Sequence, residues 1–469
     1  MWVPRLRSVD LLSLSLTEII KLLDARSVSA VEVVSQTCAR IEEKNPALNA
    51  VVSFQPDRAI DEARRIDDRR ARGEVVGLLS GVPFVVKDLE DAAGFVTTKG
   101  SLLHAHDPVA VSDSYLVGRF RALGAIVVGK SNTPEFGWTG ETVNRVFGAT
   151  KNPHDPRYSP GGSSGGSACA VASAMVPFAT GSDGGGSIRI PSALCGLSGF
   201  KCSSGVVPAP SAVAPSWFDL SVSGPLARSF DDLALLLDEV AVFEEGDLRS
   251  HLLYPGLFRQ HVALRRAPRR LLASLTLGYA PVDEEVRRVF LASVERIQMS
   301  GVEVSWREDI FDVDPVFSWM TLTSAMTRAT LESEGLSNED ERLDLGLREV
   351  LRHVEDLSSS QLLATLGESY RLTYRLSEVM AGFDGLLTPT VSTTTPLSGS
   401  SGTVNGIPTS NWVRFTYPFN MTRSPAATIP VGVSESGLPL GIQLVGHRDG
   451  DRALLGHAAF CEDLFSHKA

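Results

Sequence analysis

The chain has 469 residues, 43% of them hydrophobic and 21% charged, the make-up of a soluble protein with a large buried core and not of a disordered one. Lys and Arg number 44 against 55 Asp and Glu, a net charge of -11 with no long basic block, which argues against nucleic acid as a partner. The five cysteines, Cys38, Cys169, Cys195, Cys202 and Cys461, are scattered and odd in number. Neither a disulfide framework nor a metal or redox pair is expected from them, and a reducing, cytoplasmic setting fits.

Arg5 and Arg7 ahead of Leu11 to Ile20 mimic a secretory leader, but Asp10 and Glu18 break the apolar run and no small-residue cleavage site follows. No stretch offers the roughly 20 apolar residues a membrane span needs. From Thr17 to Ile41 the apolar positions recur at helical spacing with a break near Arg26, predicting two short helices, the second capped by Ser29. Asn49 to Phe54 reads as a strand and Asp57 to Arg72 as a charged, solvent-facing helix.

Gly81 to Val86 is a short apolar run closed by Lys87 and Asp88, the pattern of a buried strand delivering charge at its end. Ser114 to Leu123 then predicts a helix and Ala125 to Lys130 another buried strand. This alternation implies an α/β fold, a single large domain with a central mixed β-sheet flanked by helices on both faces. Within it, residues 10–75 form an N-terminal helical segment and 76–240 a catalytic core. The stretch 243–381, poor in glycine and rich in charged helical segments such as Asp283 to Met299 and Gln361 to Met380, reads as a mainly helical insertion shaping the pocket. Residues 382–465 return to the core sheet through strands at Phe383 to Thr390, Ala427 to Val431 and Gly441 to Val445.

Ser159 to Pro191 holds two glycine-serine loops separated by a helix-compatible run, Ser167 to Met175, and a short strand, Val176 to Thr180. Such loops expose successive backbone N–H groups that hold an anion, either a phosphate or a tetrahedral oxyanion. The phosphate-loop and dinucleotide patterns are both absent. A serine nucleophile needs a base, and none of the nine histidines stands in motif relation to these loops. A lysine serves if burial lowers its pKa, and Lys87, at the end of an apolar strand, has the setting for that.

The segments GVPFVVKD (81–88), GGSSGGS (161–167) and GSDGGGSIRIPSALCG (181–196) closely resemble the landmarks of the amidase signature family. KSNTPEFG (130–137), FDGLLTPT (383–390) and GLPLGIQLVG (437–446) extend the likeness over about residues 10 to 460. The resemblance implies a hydrolase of linear amide C–N bonds, with Ser187 as nucleophile, Ser163 as proton relay through a cis peptide at 162–163 or 163–164, and Lys87 as terminal base. The family spacing of 24 between the two serines holds from 163 to 187. It further implies an oxyanion hole of N–H groups from Gly184, Gly185, Gly186 and Ser187, no cofactor and no metal. Ser164, Asp183 and Arg189 are read as supporting residues.

Two departures stand out: Gly184 where many members have Thr, and Lys201-Cys202-Ser203 where many have KPT. Three aromatic pairs, Phe136 with Trp138, Trp217 with Phe218 and Trp412 with Phe415, are expected to be partly core, with acyl-pocket lining the alternative role for any one of them. A stand-alone amidohydrolase acting on a small amide, often homodimeric in this family, is the expected function. The alternatives are the glutaminase subunit of a tRNA-dependent amidotransferase and a non-catalytic binding protein on the same scaffold.

Overall fold

The computed structural model of the chain describes residues 10–251 and 257–466; Arg5 and Arg7 lie outside the described residues. In the first half the strands are β1 (Val51–Phe54), β2 (Pro83–Lys87), β3 (Ile126–Ser131), a hairpin of β4 (Val143–Asn144) and β5 (Gly148–Ala149), β6 (Phe178–Asp183), β7 (Gly199–Lys201) and β8 (Val222–Ala227). The second half adds β9 (Arg270–Ala273), β10 (Glu303–Trp306), β11 (Gly385–Pro389), a hairpin of β12 (Thr403–Val404) and β13 (Ile407–Pro408), β14 (Ala426–Val433) and β15 (Pro439–Val445).

The expected α/β domain with mixed pairing is present, but the strands hydrogen-bond into two large sheets. One is ordered β1-β3-β2-β6-β8 and the other β10-β9-β11-β15-β14-β7. The seam lies between β7 and β8, which pack side by side without a ladder, because β7 makes its ladder with β14. Strands β11, β14 and β15 come from the late runs, and they meet β9 and β10 from the middle of the chain. The stretch 243–381 thus contributes two four-residue strands besides the helices Glu284–Met299, Val316–Ser333, Leu345–Arg352 and Ser359–Val379. Charged Arg270 and Glu303 open those strands, which hides them from a hydrophobic-run reading.

The N-terminal helices are Leu16–Asp24 and Ala30–Leu48. Ser29 caps the second reciprocally: its hydroxyl accepts from Glu32 N–H at 3.1 Å while the Glu32 carboxylate accepts from Ser29 N–H at 2.8 Å. Under β2 and β6, Phe84 stacks on Phe178 at 4.9 Å and Phe120 closes the cluster edge-on at 5.1 Å from Phe178. Burying each ring contributes about 2 to 3 kcal/mol, so the strand that carries Lys87 is rigidly held.

Strands β3, β2 and β6 run parallel, and the register sets Lys87 opposite Ser131. Their carboxyl ends, carrying Lys87, Lys130 with Ser131, and Asp183, therefore emerge along one edge, where open α/β sheets place their sites. Among the described residues no helix is long and apolar enough to cross a membrane.

Candidate active site

Lys87 closes β2 and is fully buried. Its backbone N–H donates to Thr180 Oγ1 at 3.0 Å, and its Nζ donates to Ser163 Oγ at 2.8 Å and Ser182 Oγ at 2.9 Å. Both partners of the amine are hydroxyls. Burial pulls the amine from its ordinary 10.5 down to about 7, against the opposite pull of Glu90 and Asp183. Glu90 sits one turn on, its N–H donating to Lys87 O at 2.9 Å, and its carboxyl is buried with the Ser223 and Thr180 hydroxyls beside it. Burial pushes that carboxyl up to about 7, although Lys87 and Lys130 pull it down.

Ser163 and Ser187 lie on the two glycine-serine loops. The Gly162–Ser163 peptide is cis, the first of the two expected positions. The loops are tied together through Ser164, whose N–H donates to Ser187 O at 3.2 Å and whose hydroxyl donates to Ser182 O at 3.3 Å. Lys87 and Ser163 are thus brought into direct contact. Among the described residues no hydrogen bond joins the Ser163 and Ser187 hydroxyls; such contacts commonly tighten only around bound substrate.

Of the four N–H groups expected to face an oxyanion, Gly186 is corrected by the structure. Its N–H donates to Asp183 Oδ1 at 2.8 Å, because a φ of +129° turns the peptide inward. The N–H groups of Gly184, Gly185 and Ser187 have no partner among the described residues. The loop's carbonyls are pinned from outside: Gly184 O accepts from Trp319 Nε1 at 2.9 Å and Gly185 O from Thr416 Oγ1 at 2.5 Å. In a trans peptide the C=O and the following N–H point opposite ways, so pinning Gly184 O fixes the aim of the free Gly185 N–H.

Beneath the loop Asp183 and Arg189, both fully buried, form a bidentate pair, Nε to Oδ2 at 2.9 Å and Nη2 to Oδ1 at 2.8 Å. Arg189 also donates to Thr416 O, Gln443 Oε1 and Asn420 Oδ1 at 2.9, 2.7 and 2.6 Å. Burial alone would raise the Asp183 carboxyl, but the Arg189 charge outweighs it and holds the group well below the usual carboxylate range. The Asp183 carboxylate also accepts from the N–H groups of Gly186 and Ile188, so the pair sits hydrogen-bonded beneath the loop that carries Ser187. The pair's partners Thr416 and Asn420, and likewise Glu90, lie outside the landmark segments, whereas Ser182 and Gln443 lie within them with nothing in the sequence to single them out.

A cleft of about 400 Å³ opens over Ser187, walled by Trp138, Trp217, Trp319 and Tyr417. Glu349 is the one charged side chain lining it, and no histidine lines it, among the described residues. Of the six aromatic candidates, Trp138 and Trp217 face the cleft. Phe415 and Trp412 are buried in core clusters, Phe136 packs against another, and Phe218 is exposed. Cys202 is buried, with Lys201 Nζ donating to its carbonyl at 2.8 Å, so this departure is a packing feature.

The site thus joins a buried lysine–serine contact to a pinned glycine loop, and among the described residues no histidine lines the cleft above it. The amidase family model matches residues 32–455. An acylamidase of Rhodococcus erythropolis is 31% identical over 458 residues, 95% of this chain and 94% of that protein. The solved structure of a bacterial aryl acylamidase of the amidase signature family superposes with a TM-score of 0.90 at 30% identity, covering 96% of both chains. A glutamyl-tRNA(Gln) amidotransferase chain of Nitrosomonas eutropha is 40% identical over 240 residues, 51% of this chain and 49% of that one. The chain belongs to the amidase signature family and is a hydrolase acting on amide C–N bonds.

Proposed function

We propose that the chain hydrolyses a small, uncharged carboxamide or N-substituted amide through an acyl-enzyme on Ser187. The observation that carries this reading is the 2.8 Å contact between a fully buried Lys87 amine and Ser163 Oγ, with hydroxyls alone as the amine's partners. A lysine in that setting is a base at neutral pH. Lys87 takes the Ser163 proton as Ser163 takes that of Ser187, and Ser187 Oγ bonds to the carbonyl carbon. The oxyanion is held by the N–H groups of Gly184, Gly185 and Ser187, each such donor being worth about 3 kcal/mol in the transition state. The tetrahedral adduct collapses as the relay protonates the leaving nitrogen, and ammonia or an amine departs. Water then cleaves the ester by the same steps, giving the acid and regenerating Ser187.

The partial match to a glutaminase chain supports a second reading less well. Glutamine carries a carboxylate that asks for a cationic partner, and among the described residues the cleft lining offers Glu349 and neither Lys nor Arg. The test is Ser187→Ala. Turnover of a panel of aliphatic, aryl and peptide amides is expected to fall by about 10,000-fold or more with the circular dichroism spectrum kept. Wild-type protein quenched during turnover is expected to carry the acyl mass on the peptide containing Ser187. A Ser187→Ala variant that turns over amides normally refutes the assignment.

A further inference from the structure

Gly184 and Gly185 precede the nucleophile, and neither has a positive φ, so the backbone there accepts any residue. Space is what excludes a side chain. A Cβ on Gly184 would lie 2.4 Å from Trp217 Cε3, and one on Gly185 would lie 2.4 Å from Trp319 Cζ2. The two indoles rest directly on the bare loop.

Both rings are fixed. Trp217 Nε1 donates to Thr327 Oγ1 at 2.8 Å, and that hydroxyl donates on to Thr323 O within the helix Val316–Ser333. Trp319, on the same helix, meets Trp217 edge to face at 5.8 Å and 88°, and stacks on Tyr417 at 5.3 Å. Trp217 and Phe218 hold consecutive left-handed φ values of +62° and +45°, a conformation that costs free energy in non-glycine residues and persists where the surroundings impose it. The loop carrying Trp217 is thus held in an unfavourable conformation, and the result is an indole standing in the cleft beside Ser187.

We propose that Trp217 is a specificity-determining residue that receives the planar aryl group of an uncharged amide, and that Gly184 is the positioning residue that leaves room for it. The proposal rests on the amide-hydrolase reading and narrows it to a substrate class. A side chain at 184 and the indole at 217 exclude each other, so the two positions act as one unit. The apolar, aromatic walls and the lack, among the described residues, of a cation in the lining suit a neutral ring in place of a carboxylate-bearing substrate.

The experiment compares kcat/KM for benzamide, with the ring on the acyl side, for acetanilide, with the ring on the amine side, and for butyramide. The readout is the aryl-to-aliphatic ratio, in which any general damage to catalysis cancels. Trp217→Ala is expected to lower that ratio about tenfold, and Trp217→Phe to keep most of it. Gly184→Ala is expected to lower it as well, and the double variant to fall no further than Trp217→Ala alone. The aryl substrate that loses its advantage shows which side of the scissile bond faces the indole. A ratio unchanged in Trp217→Ala overturns the proposal, as does additive loss in the double variant. Should Gly184→Ala fail to fold, the Trp217→Ala and Trp217→Phe pair still decides the role of the indole. Wild-type protein that turns over no member of the panel overturns the amide reading and this proposal together, whereas normal wild-type turnover with a ratio insensitive to residue 217 sinks this proposal alone.

Discussion

Lys87 and Arg189 are both fully buried, yet their partners differ in kind. The Lys87 amine meets two serine hydroxyls, whereas the Arg189 guanidinium meets a carboxylate bidentately and three further oxygens. Burial that outweighs the pull of nearby carboxyls drives a lysine to give up its proton. Burial with a well-matched carboxylate keeps both charges in place. Two equally buried cations are therefore tuned differently, one toward neutrality and one toward a fixed charge, and the difference lies in the partners, not in the depth of burial.

The largest expected effect separates those roles. Lys87→Met is expected to lower kcat/KM about 1,000-fold or more while leaving stability the same or higher, because it removes an amine that resists burial. The folded amine titrates at about 7 against its ordinary 10.5, so between those values the unfolded chain binds more protons and this residue makes stability rise with pH. In Lys87→Met that rise is expected to flatten, as read from denaturant midpoints across the interval. Asp183→Asn is expected to do the opposite. It leaves the Arg189 charge buried and unpaired, costing about 3 to 5 kcal/mol of stability, and it frees the Gly186 loop, so the midpoint and turnover fall together. The smallest effect is expected for Ser182→Ala, which removes one of the two acceptors for the amine. Activity is expected to fall less than about tenfold, with the acid limb of the rate profile moved to lower pH because the charged amine loses an acceptor.

Much of this was legible in the sequence because it is local. Lys87 ends a short apolar run that reads as a buried strand, and Ser29 stands at the break before the second helical run, where a cap is expected. The two serine loops were read from their glycine spacing and from the family likeness. The anchor was half legible: Asp183 and Arg189 are six residues apart, but Asn420 and Gln443 reach Arg189 from 231 and 254 positions away, a separation at which no pattern in the chain predicts contact. Gly186 was misjudged because the direction of a peptide N–H depends on its φ, which four consecutive small residues do not reveal. Gly184 became intelligible only when Trp217 was seen lying on it. The seam between the two sheets likewise depends on which edge of β7 takes the ladder, and sequence leaves that open.

The central claim is that an uncharged Lys87 is the base, and the pH dependence of wild-type kcat/KM on an uncharged amide tests it most directly. From about pH 5 the rate is expected to rise about tenfold per pH unit and to level off above an apparent value near 7, a value shared with the neighbouring Glu90 carboxyl, which titrates in the same range. A profile that is flat through this range, or that falls as the pH rises through 7, would contradict the account.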